Sequence, residues 1–122
     1  MRDFRKLLVW QRAHALSVEV HDAIQRFPRR EHTSLRSQLM RAAESIATNV
    51  VEGCAASTQR EFARYLDIAI KSANETEYHL IAAADREAMP KLDSESMQQE
   101  TMEIRRMLHA LRKRVLISSA AL

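Results

Sequence analysis

The chain has 122 residues with one glycine, two prolines and one cysteine, a length that suits a single domain with a modest hydrophobic core. A single glycine argues against hairpins, phosphate-binding loops and dinucleotide-binding fingerprints, because these depend on several residues that adopt positive φ cheaply. The net charge is +3, no apolar run approaches the ~20 residues of a membrane span, and the commonest residues favour helices. We therefore expect one soluble, cytoplasmic, all-α domain over residues 1–122.

The first two helices are predicted over about residues 7–27 and 34–53, each as an amphipathic stripe. Apolar or small residues recur at alternating spacings of three and four, at Trp10, Ala13, Ser17, Val20, Ile24 and Phe27 in the first helix and at Leu35, Leu39, Ala42, Ile46, Asn49 and Gly53 in the second. Pro28 is expected to stop the first helix, and Gly53 to cap the end of the second.

The other two helices are predicted over about residues 58–88 and 94–117. Thr58 and Glu61 form a capping-box pattern at the start of the third helix, and Asp93 or Ser94 is expected to cap the start of the fourth. Three short connections separate the helices, at about residues 28–33, 54–57 and 89–92. Because short connections favour antiparallel neighbours, the sequence predicts an up-down-up-down four-helix bundle.

The two ends of the chain are basic and its middle is acidic. Residues 1–36 contain eight Lys or Arg against four Asp or Glu, residues 37–90 five against eight, and residues 91–122 six against four. The predicted topology places the start of the first helix beside the end of the last, which brings nine cations towards one end: Arg2, Arg5, Lys6, Arg12, Arg105, Arg106, Arg112, Lys113 and Arg114. These cations either offset helix dipoles and maintain solubility, or bind the phosphates of a nucleic acid.

A second candidate site is a set of polar residues on otherwise packed helix faces. Its members are Arg41, Ser45, Asn49 and Glu52 on the second helix, followed by Gly53, and Ser72, Glu75 and Glu77 on the third. Buried polar groups need hydrogen-bond partners. Three interpretations stay open: a hydrogen-bonded layer that sets helix register, a network with arginines of another subunit, or a small-ligand pocket.

Residue patterns for catalysis and metal binding are missing from the chain. No glutamate is followed by histidine at the third position, as a di-iron bundle requires, and no strained nucleophile motif occurs. Glu75 and His79 are one helical turn apart, a spacing that more often marks a solvated face than a metal site. We expect no enzymatic activity, no metal and no cofactor.

Several segments of the chain carry a family resemblance. They are residues 3–14 (DFRKLLVWQRAH), Phe27-Pro28, the pattern from Ser37-Gln38 through Ser45 and Asn49 to Glu52-Gly53, residues 61–66 (EFARYL), Ala69, Ser72, residues 75–77 (ETE) and residues 103–108 (EIRRML). Over nearly the whole chain, these residues resemble the four-helix bundle proteins encoded in intervening sequences of bacterial 23S ribosomal RNA genes. The accessory variability protein of diversity-generating retroelements is a relative of that family.

The resemblance implies a ring-shaped homo-oligomer, a homopentamer, with no enzymatic activity. It also implies binding of structured RNA to a basic surface, since the retroelement relative is associated with nucleic acid and with a reverse transcriptase. Two alternatives are a protein-protein adaptor for a nucleic-acid enzyme and a small-molecule or metal site at Asn49, Glu52 and Glu75. The chain departs from the family at Gly53-Cys54, where many members carry an aromatic residue after the glycine.

Overall fold

The computed structural model describes residues 2–28 and 31–121, with side chains of the last helix as far as Ser118. A short 3-10 helix, Phe4–Lys6, precedes four α-helices: α1 (Leu8–Ile24), α2 (Thr33–Cys54), α3 (Gln59–Asp85) and α4 (Lys91–Ala121). The described residues contain no β-strand. The prediction of an all-α chain with four helices is confirmed. Arg29 and Arg30, within the first predicted connection, and the predicted domain's end residues Met1 and Leu122 lie outside the described residues.

The helix ends follow local capping chemistry. Thr58 caps α3 as predicted, because its side chain accepts a hydrogen bond from the Glu61 backbone N–H at 3.1 Å. α1 ends at Ile24, three residues earlier than expected, and the chain continues through a tighter turn in which the Phe27 N–H donates to the Ile24 carbonyl. The turn still buries Phe27 against the core.

The prediction that Asp93 or Ser94 caps the start of the fourth helix is wrong, since both lie inside α4. α4 begins at Lys91, directly after Pro90, whose carbonyl accepts the Ser94 backbone N–H at 3.1 Å. Proline suits the start of a helix because the first turn has no intrahelical acceptor for its missing N–H. Ser94 is instead fully buried, and its hydroxyl donates to the Leu80 carbonyl of α3 at 2.6 Å.

Gly53 does not have the capping role predicted for it. It lies inside α2, is buried, and does not have positive φ. A Cβ atom at this position would lie 2.7 Å from Cδ1 of Phe62 and 3.3 Å from Cβ of Tyr65. The glycine is therefore required by the close approach of α3, and Ala55 occupies the C-cap position.

Two residues other than glycine adopt the left-handed conformation in the connections. His32 has a φ of 61° just before α2, and Glu87 has a φ of 59° just after α3. Each non-glycine residue in this region carries a steric cost of about 1 kcal/mol or more. The lack of glycine thus did not prevent these turns, since packing of the flanking helices compensates for the cost.

Helices that follow one another in the chain pack antiparallel. α3 packs along both α2 and α4, while α1 packs along α2 and less extensively along α4. Ser94, early in α4, contacts Leu80, late in α3, whereas Arg112, late in α4, contacts Asp67, early in α3. The start of α1, the end of α2, the start of α3 and the end of α4 consequently lie at one end of the molecule.

The core between the helices consists mainly of aliphatic residues. Side chains with less than two per cent exposure come from all four helices: Leu16, Val20, Leu39, Ile46, Val50, Leu66, Leu80, Ile104, Leu108, Leu111 and Val115. Their burial supplies the main favourable contribution to folding, at about 25 cal/mol per Å² of apolar surface. Among the described residues, no helix has an apolar stretch that would allow it to cross a membrane.

Replacing Gly53 by alanine is expected to lower the free energy of unfolding by about 1 kcal/mol. Overpacking a filled core costs about 1–3 kcal/mol, which exceeds the ~1 kcal/mol that alanine gains over glycine in helix propensity. The Phe62 ring that the new Cβ would meet is itself buried and cannot move aside freely. Urea unfolding followed by circular dichroism measures the change.

Thr48→Ala, at an exposed position of the same helix, is the matched control and should alter stability by less than about 0.5 kcal/mol. The double variant Gly53→Ala with Phe62→Leu should lose less stability than the sum of the two single changes, because leucine leaves room for the new Cβ atom. A Gly53→Ala protein as stable as the original would contradict the close-approach explanation.

Candidate nucleic-acid interface

The structure brings six of the nine predicted cations to one end of the molecule, which we call the basic end. Arg2, Arg5 and Lys6 belong to the segment that precedes and includes the 3-10 helix, and residues 112–114 belong to the later part of α4. A small groove lined by Leu7, Leu8 and Arg114 joins these two segments. Arg12, Arg105 and Arg106 lie further along the helices, away from this end.

The predicted cations away from the basic end are held in ion pairs. The Arg12 Nε donates to Glu100 across the α1–α4 seam at 2.9 Å, and its Nη1 lies 3.9 Å from Glu103. Arg106 Nε donates to the other oxygen of Glu103 at 3.0 Å. The hydrogen bond with Glu100 raises the pKa of Arg12, and the hydrogen bond from Arg106 lowers the pKa of Glu103. The Arg12 guanidinium stabilises the packing of α1 on α4, whereas the Arg106–Glu103 pair lies within α4.

The α3–α4 seam contains two further arginine pairs. Arg105 Nη1 donates to Glu77 at 2.6 Å and to Asn74 at 2.9 Å. Arg112 Nε lies 2.6 Å from the Asp67 carboxylate, but its N–H is not aligned for a hydrogen bond. Arg112 is therefore paired by charge, and only its remaining guanidinium nitrogens are available to a ligand.

Four of the predicted cations have no acidic partner within 4.0 Å among the described residues: Arg2, Lys6, Lys113 and Arg114. Arg5 is paired with Asp3 at 3.0 Å, an interaction that also lowers the pKa of Asp3. All four lie at the basic end. Unpaired positive charge is thus available to an anionic ligand at this end, whereas the other unpaired cations of the described residues, Arg26, Arg36, Arg41, Lys71 and Arg86, lie elsewhere in the molecule.

Sequence reasoning missed two arginines of the basic end, Arg60 and Arg64. Both line an open groove of about 520 Å³ between the start of α3 and the end of α4, together with Arg112 and the carboxylates of Glu61 and Asp67. The predicted topology could have revealed these two arginines, because antiparallel packing places the first turns of α3 beside the last turns of α4. The two arginines fall in the acidic middle of the sequence, where the charge count concealed them.

The predicted polar set divides into a hydrogen-bonded layer and an exposed rim. Ser45 and Ser72 hydroxyls lie 2.7 Å apart across the α2–α3 seam, and the Asn49 amide donates to the Ser45 hydroxyl at 3.0 Å and to its carbonyl at 2.8 Å. All three side chains are half-buried. Of the three interpretations, the layer that sets helix register is the one that this geometry supports for these residues.

Of the other members of the polar set, Arg41, Glu52 and Glu75 face outwards, whereas Glu77 is paired with Arg105 in the α3–α4 seam and Gly53 is buried. Arg41 and Glu75 are exposed and line an open groove beside the serine pair, and Arg41 makes a long hydrogen bond of 3.4 Å to Ser37. Glu52 is exposed near the end of α2. Within the described part of the chain, no group of three or more histidine, cysteine or acidic side chains is arranged to hold a metal ion.

Cys54 is the last residue of α2 and is buried. Burial raises the pKa of its thiol, so the reactive thiolate is scarce at neutral pH. The side chain serves as a small packing group beside the N-terminal segment, where the Arg2 backbone N–H donates to the Cys54 carbonyl at 3.3 Å.

The sequence matches the family model of the 23S rRNA-intervening sequence proteins over residues 5–110. The chain belongs to this family. A similar solved structure is that of a protein of unknown function from the S23 ribosomal protein family of Bacteroides thetaiotaomicron, with 26% identity and a TM-score of 0.81 over 87% of this chain and 99% of that one. No protein of curated function matches the chain.

Family membership confirms the resemblance that the sequence motifs carried. The matched range includes α1, α2, α3 and most of α4, and with them the polar layer and the ion pairs of Arg12, Arg105 and Arg106. Arg2 and residues 112–114 lie outside the matched range. Three of the unpaired cations of the basic end, Arg2, Lys113 and Arg114, therefore come from residues that the family model does not cover.

Replacing Glu103 by glutamine is expected to destabilise the protein at neutral pH and to make little difference in acid. The folded-state pKa of Glu103 is lowered, chiefly by the Arg106 hydrogen bond, so its contribution is present above about pH 4.3, the ordinary glutamate pKa. As pH falls through the lowered folded-state pKa, the carboxylate is protonated and the contribution is lost. Urea unfolding midpoints of both proteins across this pH range test the prediction.

Glu75→Gln, which removes an exposed carboxylate outside any ion pair of the described residues, should follow the pH dependence of the original protein. If Glu103→Gln keeps its full deficit in acid, the effect arises from packing and not from the charge on the carboxylate.

Proposed function

We propose that this chain is a non-enzymatic, oligomeric scaffold that binds RNA through its basic end. The observation that carries the proposal is that six cations without acidic partners among the described residues lie together at that end: Arg2, Lys6, Arg60, Arg64, Lys113 and Arg114. Cations that are not already neutralised can displace the counterions of a phosphate backbone, which is the main source of affinity in such complexes. The family's link to 23S rRNA intervening sequences points to RNA as the polyanion.

The binding proposed here depends mainly on phosphate contacts. The cations are spread over the N-terminal segment, the start of α3 and the end of α4, so they form a broad surface instead of one recognition helix. Contacts to phosphates position a protein on RNA without reading its bases. We expect steep salt dependence and little discrimination between RNA sequences.

The proposal includes assembly. The four helices would form one closed antiparallel up-down-up-down bundle over residues 1–122, and copies of the bundle would assemble into the homopentameric ring that the family resemblance implies. Apolar side chains exposed on the single chain are available for subunit contacts, among them Leu8, Val18, Tyr78, Met102 and Ile117. A ring would present the basic end several times over and multiply its field. A cytoplasmic location, without cofactor or metal, agrees with this role.

An adaptor role is the second candidate function. Tyr78 and Ile81 are exposed neighbours on one turn of α3, and exposed apolar neighbours of this kind suit a protein partner. The partner would be a nucleic-acid-processing protein. A partner recovered in pull-down after nuclease treatment, and lost on Tyr78→Ala, would favour this role over direct RNA binding.

Reversing two charges at the basic end, Lys113→Glu with Arg114→Glu, is expected to weaken RNA binding at least about tenfold at low salt. Each lost phosphate contact should also reduce the slope of log affinity against log salt by about 0.7–0.9. Fluorescence anisotropy of a labelled RNA hairpin, titrated at several salt concentrations with a duplex DNA comparison, measures both quantities.

The matched control is Arg86→Glu with Lys91→Glu, which makes the same change in net charge at exposed positions of the opposite end. It should retain most of the affinity. Equal losses in both double variants would show a general charge effect, and an unaffected basic-end variant would remove the proposed surface.

The ring predicts a mass of about five times the 14.0 kDa of one chain. Sedimentation velocity at several protein concentrations, combined with native mass spectrometry, should show one pentameric species. A monomer throughout would remove the ring from the proposal and leave the single basic end as the binding surface.

A further inference from the structure

The N-terminal segment encloses a pocket against the end of α2. The pocket has a volume of about 420 Å³, and its walls come from two short stretches: Arg2, Phe4 and Arg5 on one side and Val51, Cys54 and Ala55 on the other. Volumes of about 300–1,000 Å³ with mostly apolar walls and a few polar groups are typical of small-ligand sites. The segment is held in place by the hydrogen bond from the Arg2 backbone to Cys54.

Aromatic rings, scarce in this chain, form a continuous series of contacts that begins at this pocket. The Phe4 ring lies edge-on to Trp10 with centroids 4.9 Å apart. Trp10 is in turn stacked on His14, with centroids 5.1 Å apart and planes within 5° of parallel. Phe4 and Trp10 are half-buried and His14 is exposed. This series of rings therefore extends from the pocket wall to the surface of α1.

Two guanidinium groups lie at the pocket beside aromatic rings. Arg5 lies 5.8 Å from the centre of the Phe4 ring, and Arg2 lies 5.3 Å from the centre of the Phe62 ring. Asp3 also lines the pocket, but its carboxylate is engaged by Arg5. The Arg2 charge has no acidic partner among the described residues, and the pocket wall remains net positive.

Aromatic and apolar walls next to free cations are the combination that binds single-stranded nucleic acid. Stacking on an aromatic ring accepts any base, and nearby cations hold the phosphates on either side. A base paired within a duplex cannot use such a pocket, because both of its faces are already stacked.

We propose that this pocket, which we call the N-terminal pocket, binds one unpaired nucleotide of RNA. The base would lie against Phe4 and the apolar wall from α2, and the adjoining phosphate would contact Arg2 and Arg5. The proposal rests on the RNA-binding function above and adds to it a preference for single-stranded regions, which phosphate contacts alone do not produce.

The test uses the chain's only tryptophan as the reporter. Trp10 touches Phe4, so a base in the N-terminal pocket should quench its emission. The native protein is titrated with a short oligouridylate and with an abasic oligomer of the same length and charge. We expect the oligouridylate to bind at least about fivefold tighter, in line with the contribution of base stacking, and to be the one that quenches Trp10.

The outcomes separate the two proposals. Equal affinity for both oligomers with unchanged Trp10 emission overturns the nucleotide pocket and leaves phosphate binding standing. Tighter binding of the oligouridylate without quenching places the base elsewhere and also overturns it. Absence of binding to either oligomer overturns both the pocket and the proposed function.

A variant pair locates the effect without depending on the first comparison. Phe4→Leu keeps an apolar side chain but removes the ring, and it should abolish the preference for oligouridylate while retaining affinity for the abasic oligomer. His21→Leu, which removes an exposed ring near the end of α1, at the opposite end of the molecule, should keep the preference. A preference that survives Phe4→Leu overturns the proposal.

Discussion

The distance between α2 and α3 depends on the absence of a side chain at Gly53. The Phe62 ring occupies the space that a Cβ atom would need, and this contact sets the separation of the two helices at the basic end. Two helical turns further along the same seam, Ser45 and Ser72 can meet at 2.7 Å only if the helices stay close. The Ser45–Ser72 hydrogen bond and the Gly53–Phe62 contact thus fix the register of α2 against α3. α4 then packs on α3, whose position is set by these two contacts.

The helices themselves could be predicted from the sequence, because apolar spacing of three and four is a local property. What failed was the assignment of individual residues whose role depends on a neighbouring helix. Gly53 looked like a helix cap, and Ser94 looked like another, since both residue types favour those positions. The structure uses Gly53 to admit Phe62 and Ser94 to bond Leu80 across a helix seam, and no local pattern distinguishes these roles.

The candidate site shows the same limit in its electrostatics. A charge count located the basic end, but it could not show which cations were already neutralised, because Arg12 finds Glu100 at a separation of 88 residues and Arg105 finds Glu77 on another helix. Arginines that tie helices together lose much of their attraction for a ligand, since their charge is balanced at close range. The cations at the basic end that have no acidic partner keep their attraction for a ligand. Arg60 and Arg64 belong with them by position, although their stretch of sequence is acidic overall.

The end of α2 contributes both to core packing and to the proposed ligand site. The Phe62 ring, whose position requires a glycine at residue 53, also lies beneath the Arg2 guanidinium. Cys54, the residue after Gly53, accepts a hydrogen bond from the Arg2 backbone and forms part of the N-terminal pocket wall. The Cys54 side chain is small enough to leave the pocket open. In the proposed nucleotide site it would leave room for a base, with Phe4 supplying the stacking surface from the opposite side.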